Sequence, residues 1–253
     1  MDNSIVFAGL TPHPPIIVPE VGEGREEGSR KTVEAMRTFA RRFMATQPDF
    51  LVLISPHSPR MTDSFGYYEG SRLRGDLSTF MTPEVQIDLP NDEIFLQKLN
   101  SKTWTRDLHL FSISNHGLDH GAVVPLYFLV EAGWKGPTVV LGLNYPGETQ
   151  LDELGQAIAE AAAEHGGRGA VIASGDMSHR LKIGAPAGFH PDAHRFDEAF
   201  VERLKSKDSK SLRTIDAELC TIAGQDVVEA TLVAVAATEG DASQWEVLSY
   251  EGP

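Results

Sequence analysis

Four histidines stand in contexts that suit chemistry better than packing. His13 lies in Thr11-Pro12-His13-Pro14-Pro15 and His57 in Ser55-Pro56-His57-Ser58-Pro59. Proline fixes its own φ and restricts the residue before it, so both imidazoles are expected on rigid loops. His120 sits in Leu118-Asp119-His120-Gly121, where the glycine permits close backbone approach. His179 ends Ser174-Gly175-Asp176-Met177-Ser178-His179. A hydrogen-bonded turn would explain any one of these alone. Four of them behind apolar runs point instead to a set of ligands and proton-transfer groups. The other histidines have plainer contexts. His165 precedes Gly166-Gly167 and reads as a helix C-terminal residue, and His190 and His194 are separated by Pro191.

Imidazole nitrogen suits zinc, iron, copper or nickel, and two histidines with one carboxylate and open positions form the facial triad that holds Fe(II). The carboxylate is expected from Gly224-Gln225-Asp226-Val227-Val228-Glu229-Ala230. Asp226 and Glu229 are three residues apart and share one face of a helix, with side chains leaning toward its N-terminus. Asp226 also fits as a plain acidic residue at the helix start. Glu229 interrupts an apolar stretch, and a carboxylate on a buried face needs a partner such as a metal.

Such residues need elements to hold them. Ile5–Leu10 and Asp49–Ser55 read as strands with a helix over Glu26–Met44 between them, an early βαβ unit. The segment from residue 60 to 107 breaks the alternation. Its short strands, Phe65–Glu69 and Val85–Leu89, suggest an antiparallel peripheral extension. Alternation then returns with helix Val124–Ala132, strand Thr138–Leu143, helix Leu151–His165 and strand Ala170–Ser174. Helices Asp192–Lys205 and Asp226–Ala237 and a last strand Glu246–Tyr250 follow. The expectation is one α/β domain over residues 1–253, a mostly parallel central sheet flanked by helices with a peripheral β extension. Ligands gather where the strands of such sheets end, which is where the histidines fall.

The 253 residues carry a formal charge of −14, and 41% are hydrophobic. The acidic balance argues against a nucleic-acid partner, because phosphate binding needs a basic face. No apolar run approaches the roughly 20 residues of a membrane helix. The single cysteine, Cys220, excludes an intrachain disulfide and a thiolate cluster. The start, Met1-Asp2-Asn3-Ser4, lacks the basic region of a secretory leader, so a cytoplasmic location is expected.

The chain resembles the class III extradiol ring-cleavage dioxygenases of the protocatechuate 4,5-dioxygenase catalytic-subunit type. The matching pieces are Pro12-His13-Pro14, Pro56-His57-Ser58, Asp119-His120-Gly121 with Val124-Pro125-Leu126, Gly175-Asp176-Met177-Ser178-His179, and Gly224–Glu229. The resemblance implies Fe(II) on His13, His57 and Glu229, with Asp226 as a neighbour or alternative ligand. It implies His179 as acid/base and His120 as a further proton-transfer group, with Asp119 and Ser178 toward the substrate. The implied reaction opens a catechol-like or aminophenol-like ring with O2, in a homo-oligomer or with a small partner subunit. Asp176-Met177-Ser178-His179 also resembles the Memo-type proteins, which share the fold and imply a metal site without ring cleavage. The same donors would serve a zinc-dependent hydrolase, or another divalent metal.

Overall fold

Three runs in which every residue is buried, Phe50–Ser55, Thr138–Gly142 and Gly169–Ser174, can only lie inside a sheet covered on both faces. The computed structural model, which describes residues 4–145, 150–185 and 187–252 (of Glu26 and Glu27 the backbone alone), places them there. Met1–Asn3, part of the leader argument above, lie outside the described residues. The first half of the chain forms β1 (Ile5–Thr11), α1 (Pro19–Gly22), α2 (Arg30–Ala45), β2 (Phe50–Ser55), β3 (Ser64–Tyr68), β4 (Arg72–Leu77), β5 (Thr82–Pro90) and α3 (Glu93–Trp104). The second half forms β6 (His109–Ile113), α4 (His120–Glu131), β7 (Thr138–Gly142), α5 (Leu151–His165), β8 (Gly169–Ser174), α6 (His194–Lys205), α7 (Ala217–Ala223) and α8 (Val227–Ala237).

The main sheet has the order β1-β8-β2-β7-β3-β6, in which β1, β8, β2 and β7 run parallel. Successive side chains of a strand point to opposite faces. Leu51 and Leu53 of β2 therefore meet Phe39 and Phe43 of α2 and Val124 and Phe128 of α4. Phe50, Val52 and Ile54 meet Phe95 of α3, Ile158 of α5 and Val233 of α8. Helices α5 and α8 approach so closely that a Cβ at Gly155 would stand 2.4 Å from the carbonyl oxygen of Val233.

The mostly parallel α/β sheet with a β extension matches the expectation, and its details differ in four places. The strand expected at 65–69 belongs to the main sheet as β3, antiparallel to β7 through Gly66–Gly142 and Tyr67–Leu141. The extension is the separate antiparallel hairpin β4–β5, in which 72–77 pairs with the strand expected near 85–89. Residues 246–250 form no strand among the described residues. That segment docks by side chains, Leu248 against the α2 side of the core. The strands bearing His13 and His57 are not neighbours, because β8 lies between them and pairs with both. Among the described residues no helix is long and apolar enough to cross a membrane.

Candidate metal centre

The strand order brings three loops to one edge. His13, His57 and Asp176 each lie two residues beyond the ends of β1, β2 and β8, which end at Thr11, Ser55 and Ser174. His120 is the first residue of α4, and Asp226 immediately precedes α8. His13 Nε2 and His57 Nε2 are 3.0 Å apart, and Asp226 Oδ2 lies 3.1 Å from the latter and 3.6 Å from the former. The point equidistant from three such atoms is roughly 1.9 Å from each, close to the roughly 2.0–2.2 Å that imidazole nitrogen and carboxylate oxygen take around a zinc-like dication. His120 is the next donor, with a ring nitrogen within 4.8 Å of those of His13 and His57. The residues present fit a divalent metal.

Each donor is aimed by a group behind it. Pro125 sits inside α4 and has no N–H, so the carbonyl of Gly121 lacks its helical partner. The Ser174 hydroxyl donates to that oxygen at 2.5 Å. Having spent its only proton there, it accepts from His13 Nδ1 at 2.9 Å. The proton of neutral His13 is thereby held on Nδ1, and the Nε2 lone pair faces the site. The His13 backbone N–H donates to Asp176 Oδ1 at 2.9 Å, fixing the loop itself.

Asp226 is freed for the site by its neighbour. The Gln225 side chain accepts from the backbone N–H groups of Val227 and Val228 at 2.8 and 2.9 Å, capping α8 in place of Asp226. Asp226 Oδ1 accepts from the Asp176 N–H at 2.7 Å, while the Asp226 N–H donates to the Asp176 carbonyl at 3.1 Å. Burial pushes the Asp226 carboxyl up, but the adjacent His13 and His57 rings and the Asp176 N–H outweigh it and hold the group well below the usual carboxylate range. Burial pushes His13 down, and Asp176, Asp226 and Asp119 together hold it above its ordinary value. Asp176 is pushed up by burial. Three acids thus raise the proton affinity of a histidine 1% exposed, a surplus of negative charge that a cation would balance.

His120 behaves differently. Burial, then the charges of His57 and His13, push it down to about 4, so it stays neutral near pH 7. Its ring lies 4.2 Å from that of His57, and Phe80 at the hairpin turn packs edge-on at 5.3 Å. Gly121 is required beside it, since a Cβ there would stand 2.6 Å from Ser55 Oγ. His179 is oriented by Gly224, which takes φ +63° at the end of α7 and turns its carbonyl to His179 Nδ1 at 2.7 Å. Nδ1 donates, so Nε2 carries the lone pair, 3.9 Å from Asp176 Oδ2 and 4.0 Å from Asp226 Oδ2.

The structure therefore brings His13, His57, His120, His179 and Asp226 together and gives Glu229 another partner. Arg60 Nη1 lies 3.0 Å from Glu229 Oε2 and also donates to the Asn144 carbonyl, while Arg60 Nε holds the Pro56 carbonyl beside His57. Asp119 accepts from Ser55 Oγ, Ser58 Oγ, Tyr68 OH and the Ala122 N–H at 2.6–3.2 Å, so it ties the His57 loop to α4 and β3. Ser178 is likewise engaged, its N–H on Asp197 Oδ1 and its hydroxyl on the Ala223 carbonyl. In the sequence Ser174 and Gln225 have no evident role, Arg60 is marked only as an arginine beside the motifs, and Asp176 is a point of likeness without a place in the site. A signal for Asp176 was present, since it repeats the two-residue offset of His13 and His57 from their strands.

Residues 8–253 match the family model described as the catalytic LigB subunit of aromatic ring-opening dioxygenase. The chain belongs to that family. Ring-opening dioxygenases of the LigB family are metal-dependent enzymes, and the cluster described above is where this member could hold its metal. A curated relative, "Protein CA_C1420" of Clostridium acetobutylicum, is 29% identical over 252 residues, 96% of this chain and 54% of that protein. The chain thus spans about half the length of the curated relative it matches. A solved structure, an uncharacterized protein JW3007 from Escherichia coli K12, superposes with a TM-score of 0.56 at 18% identity, over 81% of this chain and 82% of that one. At that identity it speaks to the fold alone.

Proposed function

We propose that the protein opens a catechol-like or aminophenol-like ring with O2 by extradiol cleavage, using Fe(II) held by His13, His57 and Asp226. One observation carries the reading: the two imidazole nitrogens and one carboxylate oxygen within 3.0–3.6 Å of one another, with a lone-pair-bearing histidine nitrogen, His179 Nε2, 4.0 Å from that oxygen. Asp226 takes precedence over Glu229 as the third donor because Arg60 engages Glu229. When bound, Fe(II) supplies the Lewis acidity and redox chemistry that let O2 react with an aromatic ring.

The chain's own residues supply the rest. His179 Nε2 takes the proton of a ring hydroxyl and can return it later in the reaction, while its Nδ1–H stays on Gly224. His120, neutral near pH 7, adds a second imidazole that can give or take a proton beside His57. Phe80 packs edge-on against His120. Asp119 and Ser178 shape the site by holding its loops. The small aromatic and O2 are the ligands this reading requires. Assembly as a homo-oligomer or with a small partner subunit belongs to the same reading, and native mass measurement tests it.

Asp176 supports a second reading. Its Oδ2 stands 3.6 Å from His13 Nε2, as close as Asp226 Oδ2, and a fourth protein donor would close one open position. That would suit a metal-binding protein without ring cleavage, of the Memo type. The test is anaerobic reconstitution with Fe(II), followed by oxygen uptake and the visible absorbance of ring-opened product across a catechol panel. Uptake coupled to new absorbance supports extradiol cleavage. Tight metal binding with no uptake supports the second reading and overturns the first.

A further inference from the structure

We infer that the C-terminal segment 245–252 is a strap that positions His179, with Tyr250 acting through Asp197. Asp197 lies in the first turn of α6 and is 1% exposed, on the same helix as the buried Phe196 and Phe200. Packing alone would place an apolar residue there, since a buried carboxylate is costly unless its oxygens accept hydrogen bonds. Both do. Oδ1 accepts from the Ser178 N–H at 2.9 Å, directly before His179, and Oδ2 accepts from Tyr250 OH at 2.7 Å. No Lys or Arg forms an ion pair with Asp197 among the described residues, so the carboxylate serves as a tie between two segments.

The strap reaches this point along α2, without ladder hydrogen bonds. Trp245 packs beside Phe196 and Phe200, and Glu246 pairs with Arg42 at 2.7 Å. Leu248 meets the core, and Glu251 Oε2 accepts from the N–H and hydroxyl of Thr32 in the first turn of α2 at 2.7 and 2.9 Å. Gly252 lies against the His179 loop, where a Cβ at Gly252 would stand 2.6 Å from Leu181 Cδ1. His179 is thus fixed from two directions. Ala223 and Gly224 accept from its N–H and Nδ1, and the strap holds the residue before it and the one two places after. Tyr250 is a positioning residue for the imidazole that the proposed function uses for proton transfer, and in that respect the inference rests on that reading.

The test compares Tyr250→Phe with the wild type and with Glu246→Gln, which loosens only an exposed ion pair of the strap. Hydrogen exchange at the Ser178 amide and the ring 15N signals of His179 are measured without added metal. Tyr250→Phe removes one hydrogen bond to Asp197 and is expected to speed Ser178 exchange about tenfold and to shift or broaden the His179 ring signals. Glu246→Gln is expected to leave both unchanged. Zinc titration should give the same affinity for all three proteins within about twofold, since His13, His57 and Asp226 are untouched. Wild-type protection of Ser178 in Tyr250→Phe, or equal changes in both variants, overturns the inference. A wild type inert toward catechols overturns the proposed function and leaves the exchange result to decide this one.

Discussion

Replacing Asp226 by asparagine exchanges one carboxylate oxygen for an amide group, with almost no change in volume. It preserves the oxygen that accepts from Asp176 and leaves the Gln225 cap of α8 intact. What it removes is the anionic atom 3.1 and 3.6 Å from the two histidine nitrogens. Groups that merely orient a metal ligand cost about 10–100-fold in metal affinity when lost. A direct donor should exceed that, so Asp226→Asn is expected to weaken Fe(II) or zinc binding by at least about 100-fold. Glu229→Gln, by contrast, removes only the charge paired with Arg60 and should change metal affinity less than about tenfold. The assay is competition with a chromophoric chelator, backed by thermal unfolding at fixed metal. At a metal concentration about 100 times the wild-type Kd, the metal-linked stabilisation is about 2.7 kcal/mol, and most of it should vanish in Asp226→Asn. Wild-type affinity in Asp226→Asn together with loss of metal in Glu229→Gln would refute the choice of third donor and restore the assignment the sequence favours.

Three further outcomes are expected. His179→Ala should keep its metal and lose about 10²–10⁴-fold in kcat on any catechol the wild type opens, as steady-state kinetics with metal analysis will show. Ser174→Ala should weaken metal binding about 10–100-fold although Ser174 touches no metal, because His13 loses the acceptor that keeps its proton on Nδ1. Chelator competition reads this directly. In metal-free protein, His120 is held near 4 in the folded state and returns to about 6.5 when unfolded. Its contribution to stability is therefore full above about pH 6.5 and lost as pH falls toward 4, while His13, held high, works in the opposite sense. Urea midpoints across that window should rise with pH more steeply in the wild type than in His120→Gln, and parallel curves would contradict the argument.

Local pattern carried the parallel strands and the loops behind them, because buried strands read as continuous apolar runs and the prolines around His13 and His57 mark rigid turns. The partners chosen across the chain were not legible. Phe65–Tyr68 has the composition of any short strand, and nothing near it in sequence says that it pairs antiparallel with β7, more than 70 residues later. The alternation in Glu246–Tyr250 suggests a strand, yet Leu248 and Tyr250 satisfy it by docking on the core and on Asp197. The choice between Asp226 and Glu229 is not legible in the sequence for the same reason. It turns on Arg60, 169 positions before Glu229, and on a glutamine taking over a cap that an aspartate usually makes. Helix α3, strand β6 and helix α7 were passed over, and α3 in particular has weak amphipathic patterning around Leu96 and Leu99.

The hairpin that carries Phe80 to His120 keeps its ladder hydrogen bonds to itself, β4 to β5, and meets the body of the protein through isolated bridges at Gly75–Leu118 and Asn91–Thr138 and through the buried side chains of Leu73, Leu77, Val85, Ile87 and Leu89. Its turn shares no ladder hydrogen bond with the six-stranded sheet, and of the clustered donors it touches His120 through Phe80. Substitutions confined to that turn would alter what lies beside His120 while the strands and loops behind His13, His57 and Asp226 stayed as they are. Under the proposed function, what lies beside the histidines and what lies behind them could therefore change at different rates.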